Sequence, residues 1–285
     1  MAGRGGRRRA PPSRRRAQRT ARRNSGSDFG ARILAALPAI AFAIFIVSQG
    51  GWIFTGGLVL LGCVCMHEAF LLLRAGNPVR LAGFIGFIAV MVAAKQGGPD
   101  AVLAALVASV PVIFGIGLLQ ARAGAPGVAV TLFSLAWIGL PLAHAVMLRG
   151  LPHGGGIVVD VLVGTFLGDT GAYLGGRAFG STPLAPSISP SKTLEGLGVG
   201  VVVAIAAVWF AGLYQDWLSG TDALILGVAV AVAAPIGDLF ESYIKRDRGT
   251  KDTGRAFGAH GGALDRLDAV FFTAVVGYYV WHAML

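Results

Sequence analysis

Residues 221–248 read TDALILGVAVAVAAPIGDLFESYIKRDR, and they decide the fold class. The run from 221 to 244 is almost wholly apolar and is long enough for a helix that crosses the hydrocarbon core of a bilayer. Apart from closed barrels, only a helix satisfies its own backbone hydrogen bonds in lipid. Eight similar runs occupy residues 33–48, 52–73, 80–94, 101–119, 127–147, 156–178, 197–214 and 267–284. The sequence therefore predicts an all-α, polytopic integral membrane protein with about nine transmembrane helices.

The composition of the 285 residues agrees with this class, since 55% are hydrophobic and only 13% are charged. Soluble enzymes carry about a quarter charged residues, so an ordinary soluble enzyme is excluded, as are a disordered chain and a small disulfide-stapled domain. The two cysteines, Cys63 and Cys65, lie two positions apart in an apolar run and project from roughly opposite faces of a helix. We interpret them as small buried residues rather than zinc ligands.

The formal net charge of +10 belongs to the first 27 residues, which contain ten arginines and no acid. The rest of the chain balances 14 Lys and Arg residues against 14 Asp and Glu residues. We expect residues 1–30 to form a disordered cytoplasmic tail that lies against anionic lipid rather than nucleic acid. With the tail inside, twelve basic residues of the body fall on the cytoplasmic side, and only Lys95 and Arg149 fall outside, as the positive-inside rule requires.

Ionisable residues of the body are concentrated in its second half. In the first five spans the main exception is Glu68, beside His67. Two long polar loops, residues 179–196 and 245–266, are expected on the cytoplasmic side. We therefore divide the chain into the tail, residues 1–30, N-terminal transmembrane helices, residues 31–154, and a catalytic transmembrane domain, residues 155–285.

Polar residues of the eighth span share one helical face, at spacings of i, i+3, i+4 and i+7. They are Asp238, Glu241, Ser242 and Lys245. Asp265 and Asp268 open the ninth span and also share a face. Carboxylates that converge from two helices beside Lys and Arg suit Mg²⁺ with a bound polyphosphate. The alternative is that Asp265 and Asp268 cap a helix and Lys245 anchors the membrane edge, but this leaves Asp238, inside the span, unexplained.

A second co-facial set lies in the sixth span, where Asp169, Tyr173 and Arg177 follow at intervals of four. The loop after this span contains SPSKT, residues 189–193, a hydroxyl and lysine cluster suited to bind phosphate at the start of a helix. Ser, Thr and the following Glu195 also make an ordinary helix start. Both interpretations of this segment stay open.

The stretch from Ser242 to Asp268, SYIKRDRGTKDTGRAFGAHGGALDRLD, closely resembles the signature of phosphatidate cytidylyltransferases, also called CDP-diacylglycerol synthases. The segments GDLFES at 237–242, GDTGAYLGGRAFG at 168–180 and SPSKTLEG at 189–196 resemble the same family. One departure is Ala263, where the family usually has a larger apolar residue, which is a change of packing. The resemblance covers about residues 165–275.

The resemblance implies a Mg²⁺-dependent nucleotidyltransferase of phospholipid biosynthesis that converts CTP and phosphatidate to CDP-diacylglycerol and pyrophosphate. The expected metal ligands are Asp238, Asp265 and Asp268, with room for a second cation, and Lys245 completes the expected catalytic set. His260 is expected to contact a ligand rather than accept a proton, because a phosphate nucleophile is already ionised near pH 7. The expected substrate-binding residues are Asp169, Arg177, Ser191, Lys192, Ser242, Arg246, Lys251, Asp252, His260, Gly261, Gly262 and Arg266.

The expected partners are CTP, phosphatidate of the cytoplasmic leaflet and the membrane itself, and a homodimer is a candidate assembly. The expected location is a prokaryotic plasma membrane, with the N-terminus and the active site on the cytoplasmic side. Two alternatives stay open. One is a CTP-dependent lipid-alcohol kinase of the dolichol or phytol kinase type, and the other is a transporter that uses the same intramembrane acids. The sequence shows no internal repeat, which weighs against the transporter.

Overall fold

A computed structural model describes residues 37–120, 123–254 and 262–285. The predicted Arg-rich tail, His260 and Gly261 therefore lie outside the described residues. The helices are α1 (Leu37–Gln49), α2 (Gly51–Leu72), α3 (Arg80–Leu118), α4 (Gly124–Ser134), α5 (Leu140–Gly150), α6 (Gly154–Phe179), α7 (Leu194–Gly212), α8 (Gly220–Asp247) and α9 (Leu264–Met284). A 3₁₀ turn, Arg74–Gly76, follows α2, and a π turn, Leu135–Gly139, joins α4 to α5. The strands are β1 (Pro183–Ala185) and β2 (Ser189–Thr193).

The described residues divide into two compact units at residue 44. Of the first unit the structure describes residues 37–44, an apolar helical stretch that begins α1. The second unit contains the remainder of α1 and all the other described elements. The predicted division of the body at residue 154 stays a prediction.

Seven helical segments of the described ranges are long and apolar enough to cross a membrane, and α4, the π turn and α5 count among them as one segment, Gly124–Gly150. This finding confirms the predicted all-α, polytopic membrane class. The count of nine spans is not confirmed. The described part of α1, Leu37–Gln49, is about 20 Å long, less than the roughly 30 Å of a hydrocarbon core, and the predicted spans 80–94 and 101–119 both lie in α3.

The helix α3 is interrupted at Gly98, whose φ of 67° and ψ of −157° are not helical. This φ lies in the region that glycine adopts without the steric penalty of a Cβ atom. Pro99 then begins the second half of α3, where its fixed φ suits a first helical turn and its missing N–H has no partner to lose. The two predicted spans correspond to the two halves of α3 on either side of this glycine.

The helices α6 and α7 lie in very close contact along a glycine-lined face of α6. A Cβ atom at Gly168 would come within 2.9 Å of the Ala204 side chain, and one at Gly175 within 2.5 Å of Val199. Small residues let two backbones approach in a membrane, where packing replaces the hydrophobic effect as the source of association. This contact fixes the position of Asp169, which lies one residue after Gly168.

A short antiparallel hairpin, β1 and β2, connects α6 to α7, with Pro183 opposite Thr193. The carboxylate of Glu195 accepts hydrogen bonds from the Ser181 hydroxyl at 2.6 Å and from the backbone N–H groups of Ser181 and Thr182. Thr193 caps α7 by accepting from the Gly196 N–H at 3.1 Å. The predicted helix start is therefore present, whereas the hairpin before it was not predicted.

Candidate active site

Lys245, near the end of α8, lies between two carboxylates. Its Nζ donates to Asp265 Oδ1 at 2.8 Å and to Glu241 Oε2 at 3.2 Å. The Glu241 side chain is fully buried, and those of Lys245 and Asp265 are 12% and 13% exposed. Water and salt screen such a sheltered ion pair only weakly. The two contacts therefore fix the charged end of Lys245 between α8 and α9.

Asp265, in the first turn of α9, also organises the backbone around it. Its Oδ2 accepts hydrogen bonds from the N–H groups of Gly262 at 2.8 Å and Thr253 at 3.1 Å. These bonds hold the two described flanks of residues 255–261 together. An acid at this place suits the positive end of a helix, so Asp265 stabilises the start of α9 and pairs with Lys245 at the same time.

Three acids from three helices, which we call the acid cluster, form the other half of the site. They are Asp169 of α6, Asp238 of α8 and Asp268 of α9, and Asp169 lies within electrostatic range of both others. Gly237 permits this approach, because a Cβ atom there would be 2.5 Å from the Asp268 carbonyl oxygen. The close contact between α8 and α9 thus lies at the level of the carboxylates.

Lys192 reaches the acid cluster from the hairpin and forms an ion pair with Asp238. The Ser242 hydroxyl donates to the other oxygen of Asp238, at 3.4 Å. The hairpin is itself attached to α8, because Arg246 Nε donates to the Ile188 carbonyl at 3.0 Å. The backbone of the hairpin is therefore held against α8, and the long side chain of Lys192 extends from it to Asp238.

Among the described residues of this site, carboxylates outnumber the lysines that contact them. The carboxylates are Asp169, Asp238, Glu241, Asp265 and Asp268, and Lys192 and Lys245 are lysines that contact them. Carboxylates removed from water are costly unless a cation or a proton balances them. One oxygen of Glu241, Oε1, is buried without a hydrogen-bond partner. The site is thus built to receive further positive charge.

The chemistry of the acid cluster fits a hard divalent cation, because Mg²⁺ prefers carboxylate oxygens and keeps several of its waters. Within the described ranges, however, no three Asp, Glu, His or Cys residues are grouped closely enough to hold a metal ion by themselves. Asp265 is already engaged by Lys245 and two N–H groups. Of the three predicted ligands, Asp238 and Asp268 are therefore the better placed, and Asp169 adds a third carboxylate nearby.

The other predicted binding residues lie around the same helix ends. Arg246 contacts the hairpin as above and donates to the Thr250 carbonyl at 3.2 Å, and Gly262 is buried beside Asp265. The predicted residues that are exposed are Asp169, Arg177, Ser191, Arg246, Lys251, Asp252 and Arg266. The co-facial residues predicted in the sixth span have different surroundings. Asp169 belongs to the acid cluster, whereas the Tyr173 side chain is 63% exposed.

Two acids of this site were not among the predicted site residues. Glu241 was recognised only as a member of the polar face of α8, yet it is the fully buried partner of Lys245. Glu68 was noted only as an exception in the early spans, yet its Oε2 accepts a hydrogen bond from the Leu264 N–H at 2.9 Å. The available signal in both cases was a carboxylate inside an apolar run, which is costly unless it has a role.

The sequence matches the model of the cytidylyltransferase family over residues 30–284. The phosphatidate cytidylyltransferase of Mycobacterium tuberculosis is 35% identical over 153 residues, 54% of this chain and 47% of its own length. That of Helicobacter pylori is 44% identical over 120 residues, 41% of this chain and 44% of its own length. Phosphatidate cytidylyltransferase 4, chloroplastic, of Arabidopsis thaliana is 33% identical over 272 residues, 82% of this chain and 68% of its own length.

The chain spans about half the length of these bacterial relatives and about two thirds of the plant protein. The family match extends well beyond the motif region, into helices α1 to α5. It therefore includes both the helices that carry the acid cluster and the N-terminal helices that contact them through Glu68. A match over this extent confirms the resemblance seen in the motifs, and the chain belongs to the cytidylyltransferase family.

Proposed function

We propose that this protein is a CTP:phosphatidate cytidylyltransferase, which forms CDP-diacylglycerol and releases pyrophosphate. The observation that carries the proposal is the acid cluster, which three membrane helices contribute, with Lys192 and Lys245 beside it. Both substrates of this reaction are anions, one soluble and one held in lipid. For the two substrates to react, their negative charges must be balanced where lipid meets water. Carboxylates that bind a cation and lysines that bind phosphate oxygens supply this balance. The printed names of the relatives support the same activity.

In the proposed reaction a phosphate oxygen of phosphatidate attacks the α-phosphorus of CTP. The new P–O bond forms as the bond from the α-phosphorus to the β-bridging oxygen breaks, and its electron pair leaves with pyrophosphate. The attacking oxygen is already ionised near pH 7, so no side chain needs to remove a proton. The main barrier that the protein must lower is electrostatic, which fits a site rich in fixed charges.

The two lysines have different tasks in this mechanism. Lys245 is held by Glu241 and Asp265, so it presents a fixed positive charge at the edge of the acid cluster. Lys192 is paired with Asp238 and is about a quarter exposed, so it is accessible to an arriving phosphate. We expect Lys192 to exchange Asp238 for a phosphate oxygen when nucleotide binds, which leaves Asp238 available for a cation.

Mg²⁺ is the cofactor that we propose for this site. When bound, it neutralises phosphate charge and stabilises the leaving pyrophosphate. Asp238 and Asp268 would hold it, and Asp265 would support them through its bonds to Lys245 and the loop flanks. Asp169, a third carboxylate beside Asp238 and Asp268, leaves room for a second cation.

The proposed setting is a prokaryotic plasma membrane, with the N-terminus and the acid cluster on the cytoplasmic side. The distribution of Lys and Arg between the two sides supports this orientation. In it, the polar loops and the hairpin face the water from which CTP arrives, and phosphatidate is taken from the cytoplasmic leaflet. A homodimer remains the proposed assembly.

The activity can be tested with purified protein, Mg²⁺, phosphatidate and CTP labelled at either the α- or the γ-phosphate. The proposal expects label from α-labelled CTP, and none from γ-labelled CTP, in the lipid fraction. With a long-chain lipid alcohol in place of phosphatidate, label from γ-labelled CTP in the lipid fraction would identify a lipid kinase. Substrate flux into vesicles without turnover of CTP would identify a transporter. Either of these results would overturn the proposal.

Lys192→Met is expected to lower kcat/KM for CTP by about 30-fold, with the larger part of the change in KM. The physical reason is the loss of the phosphate-accepting cation, whereas the acid cluster itself keeps its geometry. Steady-state kinetics with varied CTP measures the effect. Ser187→Ala, in the exposed turn of the same hairpin, is the control and should behave as the unchanged protein. An unchanged kcat/KM in Lys192→Met would remove Lys192 from the site.

A further inference from the structure

Glu68 is the buried acid of the N-terminal helices. In the sequence of residues 37–150 the acids are Glu68 and Asp100, and of these Asp100 is exposed whereas Glu68, near the end of α2, is only 4% exposed. A carboxylate inside an apolar helix is costly unless it makes specific contacts. The mechanism above does not use Glu68, so its contacts need a separate explanation.

The carboxylate of Glu68 takes the place of a helix cap for α9. The residue before this helix, Ala263, has no side-chain acceptor for the unpaired N–H groups of the first turn. The Leu264 N–H donates instead to Glu68 Oε2 at 2.9 Å, a bond between residues 196 positions apart in the sequence. A negative charge there also suits the positive end of the helix. The start of α9 is therefore defined by α2.

The same carboxylate occupies the space beside two glycines, Gly254 and Gly262. A Cβ atom on Gly254 would meet the Oε1, Cδ and Cγ atoms of Glu68 as its three nearest neighbours. A Cβ atom on Gly262 would meet Glu68 Oε2 and the Thr253 hydroxyl. Gly254 does not have a positive φ, so space rather than backbone conformation excludes a side chain there. Glu68 thus packs between the two described flanks of residues 255–261.

These contacts bear directly on the site, because the first two turns of α9 carry Asp265 and Asp268. Gly262, which packs on Glu68, donates its N–H to Asp265, and Thr253 does the same. Loss of the Glu68 carboxylate would free the Leu264 N–H and remove the surface on which both flanks pack. The start of α9 would then no longer be held in place. Both the pairing of Asp265 with Lys245 and the approach of Asp268 to Asp238 depend on it.

We propose that Glu68 is a positioning residue of the active site, through which helix α2 sets the start of α9 and the placement of Asp265 and Asp268. This inference rests on the proposed function and goes beyond it, because it gives the N-terminal helices a part in catalysis. The side chain does not need to touch either substrate. Its effect reaches the reaction through the geometry of the carboxylates.

The first test is a double-mutant cycle of Glu68→Ala, Gly254→Ala and the double variant, with thermal unfolding of the purified protein without substrates as the readout. Gly254→Ala is expected to lower the melting temperature by about 3 °C. In the Glu68→Ala background, where the space is empty, the same change should have almost no effect. Additive effects would mean that Glu68 is not what excludes a side chain at 254, and would overturn the proposal.

The second test compares turnover of Glu68→Ala and Glu68→Gln. Glutamine keeps an oxygen that can accept from the Leu264 N–H, so Glu68→Gln should stay within about threefold of the unchanged kcat. Glu68→Ala should lose about 100-fold in kcat with little change in KM for CTP, because misplaced carboxylates affect the reaction more than substrate binding. An unchanged kcat in Glu68→Ala, or an equal loss in both variants, would overturn the positioning role.

Two further variants keep the tests decisive. If Glu68→Ala does not insert into the membrane, Glu68→Asp replaces it in the cycle, since its carboxylate is withdrawn from Gly254 by one methylene group. His67→Ala, an exposed neighbour on the same helix, is the matched control and should change neither melting nor kcat. The unfolding cycle needs no substrate. If the protein without substitutions had no cytidylyltransferase activity, the proposed function would be wrong. The unfolding cycle would still test the packing role of Glu68.

Discussion

Asp268→Asn is expected to lower kcat by about 10³-fold or more, equivalent to about 4 kcal/mol of transition-state stabilisation. Asparagine has the shape of aspartate but lacks its charge and is a poor ligand for Mg²⁺. Asp268 approaches Asp238 and Asp169 and has no lysine paired to it within the described residues. A carboxylate that lies beside other carboxylates is the kind of group expected to bind a cation. Single-turnover assays at saturating Mg²⁺ and CTP measure the loss.

The same variant should keep or raise the melting temperature of the substrate-free protein. Removal of one charge from a group of like charges relieves repulsion, a common trade between activity and stability at active sites. The control is Asp160→Asn, which changes a fully buried acid of α6 whose Oδ1 accepts from Gln215 Nε2 at 2.8 Å, outside the acid cluster. Its turnover should be unchanged. If Asp268→Asn kept more than about a tenth of the activity, the cation would not bind at Asp268.

The membrane class and the polar face of α8 could be predicted because both depend on local sequence. A span is a run of about 20 apolar residues, and such runs are visible without knowledge of the fold. Asp238 and Lys245 share a face because helical geometry places i and i+7 together. The structure accordingly has α8 as one continuous helix that contains both residues. The same reasoning placed Glu241 on that face, four positions before Lys245, which is the spacing of a helical ion pair, but it could not tell that Asp265 would be a further partner of Lys245.

The other partners of these residues could not be predicted, because they depend on contacts between distant segments. Lys192 lies 46 positions before Asp238, and its ion pair needs the hairpin that the sequence did not reveal. The strands of this hairpin are three and five residues long, too short for an alternating pattern to be recognised. What holds it is the side chain of Glu195 and the bond from Arg246. In the sequence alone, Glu195 is typical of a helix start, and Arg246 is typical of a basic residue at a membrane edge.

The separate role of Asp265 was also beyond the sequence. Its spacing of three from Asp268 made the two acids equivalent candidates for metal binding. The structure separates them, since Asp265 contacts Lys245 and two backbone N–H groups, whereas Asp268 turns to the acid cluster. Two acids that lie about one turn apart on α9 therefore make different contacts, and we expect only Asp268 to bind the cation directly. Helical spacing shows that two residues share a face, but it does not show which other segment each residue contacts.

Lys245→Met is expected to lower kcat by about 10³-fold and, unlike Asp268→Asn, to lower the melting temperature as well. The reason is that Glu241 and Asp265 both lose their cation, and a sheltered carboxylate left without its partner destabilises a protein by about 3–5 kcal/mol. Circular dichroism on heating and single-turnover assays measure the two effects. Lys95→Met, on α3 and away from these contacts, is the control and should change neither quantity.

The pair can then be tested by combining Lys245→Met with Asp265→Asn. If the two residues act through their mutual contact at 2.8 Å, the double variant should be no less stable than Lys245→Met alone, because the second change removes one of the two stranded charges. Turnover should be no lower than in the worse single variant, as expected for residues that act as a unit. Strictly additive losses in both stability and turnover would show that Lys245 and Asp265 work independently. In that case Lys245 would have to act on substrate through its own charge alone, and Asp265 would return to the group of direct metal ligands, beside Asp238 and Asp268.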